Sequence, residues 1–431
     1  MVWLAESTDP FGPPVSAALP FVKAPWRRRA GALLAALWLA LAALVQSPPP
    51  AQALSDAQQL VVESWRLVNQ SYVDPERFEA IQWKRLRQKA LERPIRSSSD
   101  AYDAIDAMLA PIGDPYTRLL RPADWTALQA STQGSVSGVG LQLGLRGEDP
   151  AVLVIAPLEG SPAAEAGISS GSELLTVDGQ AAAELGLEAT AARLRGPAGT
   201  RVLLGLRTPG GRSIDVELIR QRVDLQPVRS RVIEHGGQRL GYLRISQFAE
   251  PVPAAVVKAL QELESQGISG LVLDLRNNSG GLVSAGLAVA NTLLDGAPIV
   301  ETVNREGFSD PQQAGPGRLY AGPMVTLVNS GTASASEILA GALQDDGRSP
   351  LLGSRTFGKG LIQTLIGLGG DGSGLAVTVA RYVTPSGRDI QNLGIEPDRL
   401  LSSAEPLNPG GDDDGWLDQA LELLSSAAGE A

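Results

Sequence analysis

Val328-Asn-Ser-Gly-Thr-Ala-Ser-Ala-Ser-Glu337 leads out of an apolar run, Met324–Val328, and into a segment with helical spacing, Ser334–Leu343. An almost wholly apolar strand that turns through small residues into a helix is one half of a βα unit, and its lack of a polar face asks for cover on both sides. Leu271–Leu275 has the same character, and Arg276-Asn-Asn-Ser-Gly-Gly281 then leads to a helix near Ser284–Leu294. Leu240–Ile245 and the helix Val252–Gln266 precede them, and Gly374–Tyr382 adds a further strand. Together they predict a buried, largely parallel sheet over residues 226–405.

Upstream the pattern changes. Val139–Leu145 and Ala151–Ile155 alternate as strands, Ser161–Gly167 reads as a short helix, and Glu173–Val177 closes on an Asp178-Gly179 turn. Glu188–Leu194 reads as a helix, and Arg201–Arg207 with Ser213–Ile219 form a hairpin around Pro209-Gly-Gly211. This makes residues 132–225 a small, mostly β domain. Before it, residues 54–131 read as helical, through Asp56–Asn69, Phe78–Glu92 and a helix from about Ser99 to Pro111, closed by Gly113-Asp-Pro-Tyr-Thr-Arg118. Residues 406–431 read as an acidic tail with one short helix from Trp416.

Residues 1–53 have the order of an exported leader: the basic flank Trp26-Arg-Arg-Arg29, an apolar stretch Ala30–Val45, and Ala51-Gln-Ala53 as a small-x-small cleavage signal. The alternative is an uncleaved anchor, for which the apolar stretch is short. A net charge of −11 argues against nucleic acid as a partner. The absence of cysteine removes a disulfide framework and thiolate metal sites.

Ser334 stands at the mouth of its helix, where free amides and the helix dipole favour developing negative charge. The same residues write a capping box, Ser334-x-x-Glu337, so alone they do not separate a nucleophile from a cap. A serine needs a base to attack a carbonyl. The single histidine, His235, lies in Glu-His-Gly-Gly and reads as a solvated hairpin tip. Past the leader the lysines are Lys84, Lys89, Lys258 and Lys359, and only Lys359 sits among glycines and apolar residues, in Phe357-Gly-Lys-Gly-Leu-Ile-Gln363. Burial lowers a lysine pKa, and an amine near neutrality can take the serine proton and later return it. Gln363 could hold that amine if the chain bends, and Gly280 and Gly281 at a strand end could offer oxyanion amides. Gly138-Val-Gly-Leu141 opens the β domain as a candidate nest for a peptide carboxylate beside a strand.

From about Asp56 to Asp398 the chain resembles the carboxyl-terminal processing peptidases, also called tail-specific proteases. The resemblance rests on Gly113-Asp-Pro-Tyr-Thr-Arg118, on Gly138–Leu141 as a PDZ carboxylate loop, on Ser334-Ala-Ser-Glu337 and on Phe357–Gln363. It implies an α+β multidomain fold: a helical N-terminal region, a PDZ domain, and a ClpP/crotonase-like α/β catalytic core. It implies Ser334 as nucleophile, Lys359 as general base and Gln363 as its orienting partner. It further implies Gly280, Gly281 and Ala335 as oxyanion donors, Glu337 and Asp345 in support, and Gly138, Val139, Gly140 and Leu141 as the peptide-binding loop. No metal or cofactor is expected, and the partners would be proteins with free C-termini, often near a membrane. One departure is Ser279, where the family pattern has glycine; the two glycines after it remain. Asp371–Tyr382 looks like the photosynthetic branch, whose members trim the C-terminal extension of the photosystem II reaction-centre D-one precursor in the thylakoid lumen. The alternatives are a general envelope quality-control protease and an inactive PDZ scaffold.

Overall fold

Leu271, Leu273 and Leu275 face one side of the central sheet and Val272 the other, and both sides are covered. The computed structural model describes residues 54–429 apart from 146–150, 159, 170 and 407, so the expected leader lies outside the described residues. Ser55 onward forms one unit.

The N-terminal elements are α1 (Asp56–Ser71), α2 (Trp83–Leu91), α3 (Ser98–Leu109), β1 (Arg118–Leu120) and α4 (Pro122–Thr132). The stretch Phe78–Glu92, expected as one helix, is broken at Gln82, which has φ 54°. The break turns Trp83 inward, where it stacks on Phe78 and Trp65 at centroid distances of 5.2 and 6.2 Å. The next strands are β2 (Ser135–Gly138), β3 (Leu141–Leu145), β4 (Val152–Pro157) and β5 (Glu173–Val177). The kinked helix α5 (Ala182–Leu194) then leads to β6 (Arg201–Arg207), β7 (Ser213–Ile219) and β8 (Gln221–Asp224). β3-β4-β5-β6-β7 form an antiparallel sheet with its own core, and β2 pairs with β8.

The C-terminal α/β part opens with the hairpin β9 (Val228–His235) and β10 (Gln238–Ile245), then α6 (Val252–Ser265), β11 (Gly270–Asp274) and α7 (Val283–Leu293). It continues through β12 (Pro298–Asn304), β13 (Ser309–Gln313), β14 (Met324–Val328), α8 (Ala335–Asp345) and β15 (Leu351–Gly353). It ends with β16 (Leu361–Gly367), β17 (Gly374–Val383), β18 (Arg399–Leu400) and α9 (Gly415–Gly429). The central sheet runs β9-β10-β11-β14-β15-β18, parallel except at β9. Leu271 is level with Met324 and Asp274 with Leu327, so the loops after β11 and β14 emerge side by side.

Two expectations need correction. Gly374–Tyr382 does not extend the parallel sheet. As β17 it centres an antiparallel sheet with β1, β12, β13 and β16. Leu375 and Val377 pack among residues of α1 and α3, so the N-terminal helices share a core with that sheet. The C-terminal segment holds the helix expected from Trp416, as α9, but it is not merely an acidic tail: the helix packs on the central sheet. Trp416, Leu417, Ala420, Leu421 and Leu424 recur at helical spacing and cover Val272, Val325 and Leu327 of the central sheet. The acidic composition of the segment hid the burial of that stripe, not the helix itself.

Candidate active site

Ser334 is the N-cap of α8 and holds φ 58°, ψ −119°, a backbone region that a non-glycine residue enters only when its surroundings force it. Those surroundings are visible. Its amide donates to Glu337 Oε2 (2.8 Å), and its carbonyl accepts from Tyr382 Oη (3.1 Å) and the Ile338 amide (3.0 Å). The Glu337 amide also donates to the Ser334 carbonyl (2.8 Å), and Ser334 and Glu337 face each other as a reciprocal capping box. The turn is held by its own backbone and by the Glu337 carboxylate.

The loop after β11 is lashed to this turn. The Asn278 carbonyl accepts from Ala333 N (3.0 Å) and Ser336 Oγ (2.9 Å), while Asn278 Nδ2 donates to Ile245 O (2.9 Å). Gly280, at φ +99°, lies so close that a Cβ would stand 2.8 Å from Ala333 O. Its role differs from the expected one. The Gly280 amide donates to Asn278 Oδ1 (3.0 Å) and is not free for an oxyanion. The Gly281 amide has no protein acceptor among the described residues, and Ala335 offers the first amide of α8, which the helix itself leaves unpaired.

Glu337 joins the two halves of the site. Its side chain is fully buried. Oε1 accepts from Thr356 Oγ1 (2.6 Å) and the Gly358 amide (2.7 Å). Oε2 accepts from the Lys359 amide (2.9 Å) and the Ser334 amide (2.8 Å). One carboxylate thus fixes the serine turn and the lysine loop together, a role that a sequence reading limited to the capping box does not reveal. Glu337→Ala strands three buried donors and one half-buried one. An expected loss of about 100-fold or more in kcat, with a fall of about 3 kcal/mol in stability, follows from the unmet donors and the displaced reacting groups. Steady-state kinetics beside a urea melt checks both.

The Lys359 ammonium does not hydrogen-bond to Ser334 Oγ among the described residues. It lies 4.6 Å from the ring centroid of Tyr116. Burial holds its pKa below 10.5 and Arg118 adds to this, while Asp114 and Glu337 oppose it. Gln363 does not hold the amine. Its Nε2 donates to Thr378 Oγ1 (3.3 Å), and Thr378 Oγ1 donates to Asp114 Oδ2 (2.6 Å). The cause is backbone geometry: β16 is extended, and an irregularity between Ile362 and Gln363 sets Gln363 opposite Thr378. Asp345 lies at the far end of α8, where it accepts from Ser386 N (2.9 Å) and pairs with Arg388. Burial would raise its carboxyl, but the Ser386 amide, the neighbouring hydroxyls and Arg388 hold it below 3.8.

His235 ends β9 opposite Gln238, at the two-glycine tip of the hairpin. Gly138–Leu141 joins β2 to β3, and Gly140 (φ +73°) leaves no room for a side chain, since its Cβ would lie 2.2 Å from Ser161 Cβ. β3 is an edge strand among the described residues, open to an added strand.

Residues 239–401 match the profile of peptidase family S41, and residues 153–208 that of a PDZ domain. The chain is similar to a carboxyl-terminal-processing protease of Picosynechococcus sp., with 45% identity over 93% of this chain and 97% of that one. It is also similar to a chloroplastic C-terminal processing peptidase of Tetradesmus obliquus, with 43% identity over 82% of this chain and 79% of that one. Among solved structures, a photosystem II D1 C-terminal processing protease aligns with TM-score 0.63 and 40% identity, over 87% of this chain and 99% of that one.

Proposed function

The chain belongs to the carboxyl-terminal-processing serine proteases of peptidase family S41, and from that membership we propose that Ser334 and Lys359 form its nucleophile–base pair and that its substrate is the photosystem II D1 precursor. Lys359 Nζ takes the proton as Ser334 Oγ attacks the scissile carbonyl. The tetrahedral oxyanion is met by the amides of Gly281 and Ala335. The lysine returns the proton to the leaving amine, giving an acyl-enzyme, and the same amine then activates the water that releases the acid product. The observation that carries this reading is the Glu337 carboxylate, which accepts from the amides of both Ser334 and Lys359.

The β3 edge and the Gly138–Leu141 loop serve to hold the substrate tail by strand addition. The D1 precursor as substrate is supported by the names of the photosynthetic relatives and of the solved D1 protease. The leader-like residues 1–53 support export, to the thylakoid lumen or periplasm. Mass spectrometry of a D1 precursor tail peptide tests the assignment. The wild type is expected to release one C-terminal fragment and Ser334→Ala none, while unrelated tails are cut at least tenfold more slowly, a modest contrast for a few side-chain contacts. Equal cutting of all tails would sink the substrate. His235→Ala is expected to leave kcat/KM unchanged, and a loss of activity with a native circular-dichroism spectrum would remove lysine as sole base.

A further inference from the structure

Lys359 reaches Tyr116, a residue of the N-terminal region that the reaction as described does not use. Tyr116 is held on two sides. Its amide donates to Asp114 Oδ1 (2.9 Å). Asp114 Oδ2 accepts from Thr117 Oγ1 (2.8 Å) and, across from β17, Thr378 Oγ1 (2.6 Å). The Thr378 amide donates back to Thr117 Oγ1 (3.0 Å). The turn carrying the ring is therefore bonded to the sheet that carries the lysine loop. Beside it opens a cleft of about 770 Å³, with Asp114, Tyr116, Leu361, Thr378 and Arg381 in its wall.

A cation within about 6 Å of an aromatic centroid is attracted by the ring face. The Lys359 nitrogen, at 4.6 Å, meets that condition. We propose that Tyr116 is a positioning residue for the base: its ring face holds the Lys359 ammonium in the resting enzyme and releases the amine to Ser334 as it gives up its proton. The inference rests on Lys359 being the base. The other groups acting on the amine are Arg118 from β1, Asp114 from the turn and Glu337 from α8, and Arg381 of β17 lines the same cleft. The Tyr116 hydroxyl is no rival base, because burial, then Asp114 and Glu337, push it above 10 and keep it neutral. The ring discriminates by charge: it attracts the ammonium and has no such hold on the free amine.

The test reads the amine without catalysis. Full-length protein carrying Ser334→Ala is labelled competitively with acetic anhydride across pH, and Lys359 acetylation is followed by mass spectrometry. Tyr116→Leu, which keeps an apolar cover but removes the ring, is expected to lower the Lys359 titration midpoint by about half a pH unit, with about threefold more labelling on the acidic side. Tyr116→Phe is expected to leave it in place. With Ser334 restored, the acidic limb of the kcat/KM profile should move by the same amount in Tyr116→Leu. An unmoved or raised labelling midpoint in Tyr116→Leu, with a native near-ultraviolet circular-dichroism spectrum, overturns the proposal; Tyr116→Met gives the same reading should the leucine variant fail to fold. Activity retained by Lys359→Ala would instead refute the base assignment, and the labelling curves would still report on Tyr116.

Discussion

Lys359→Ala is expected to lower kcat by about 10⁴-fold while leaving the circular-dichroism spectrum and melting midpoint near those of the wild type. The loss is large because no second base is at hand. His235 is at the β9–β10 hairpin tip, and Glu337 is spent on four hydrogen bonds. The fold should survive because what fixes the loop is the Lys359 backbone amide on Glu337 Oε2, a bond that alanine keeps. Lys359→Arg separates charge from chemistry: the guanidinium keeps a cation beside Tyr116 but does not deprotonate, so it should be as inactive as alanine. Since burial and Arg118 hold the lysine below 10.5, the acidic limb of the wild-type kcat/KM profile should also fall below that value. Rate rises as pH climbs through that limb, because the free amine is the active form. Partial rescue of Lys359→Ala by added methylamine would assign the missing function to the amine. Undiminished turnover in Lys359→Ala would end the assignment.

The sequence carried the core because burial leaves a periodic trace. Leu271, Leu273 and Leu275 alternate with Val272, and the hairpin Arg201–Arg207 with Ser213–Ile219 matches the observed strands. Strands without that trace stayed hidden. β13 reads Ser-Asp-Pro-Gln-Gln, and β9 is an edge strand whose Arg229, Ser230 and Arg231 are exposed. At the site, residue types were legible and contacts were not. The sequence shows a serine before a helix, but the positive φ of Ser334 comes from bonds to Glu337 and to the distant Tyr382. The four-residue spacing of Lys359 and Gln363 invited a pairing that extended backbone and the irregularity before Gln363 exclude. Tyr116 stood within a quoted motif, yet its approach to Lys359 comes from tertiary folding across 242 intervening residues. Asp414 was read among acidic tail residues because its counter-ion, Arg276, lies 138 positions earlier.

Asp414→Ala is expected to destabilise the protein by about 4 kcal/mol, a large share of the stability of an ordinary domain. Arg276 and Asp274 are fully buried, and Asp414 is 2% exposed. The guanidinium donates to both oxygens of each carboxylate: to Asp414 through Nη1 (2.8 Å) and Nη2 (2.5 Å), and to Asp274 through Nε (2.9 Å) and Nη2 (2.6 Å). Tyr242 Oη donates to Asp274 Oδ2 (2.7 Å), and Arg244 Nη1 stands at ion-pair distance from the same oxygen (3.1 Å). Two carboxylates thus balance two guanidinium groups, and alanine leaves one positive charge uncompensated in a dry site. It also removes the acceptor for the Leu417 amide in the first turn of α9 (3.0 Å), worth about 1 kcal/mol as a cap. Asp414→Asn, which keeps an acceptor but not the charge, should lose less. A drop in urea midpoint at constant slope would locate the effect in stability. Activity should fall too, since Arg276 opens the loop that carries Asn278, Gly280 and Gly281. Acid titration supplies an independent check with a fixed sign. Burial would raise both carboxyls, but Arg276 holds Asp414, and Arg276 with Arg244 holds Asp274, below 3.8. Their stabilisation is therefore full above that value and drains as pH falls through the lower native ones. The wild type must lose its advantage over Asp414→Ala in that acidic range, and an advantage that persisted there would mean the carboxylate charge is not its source.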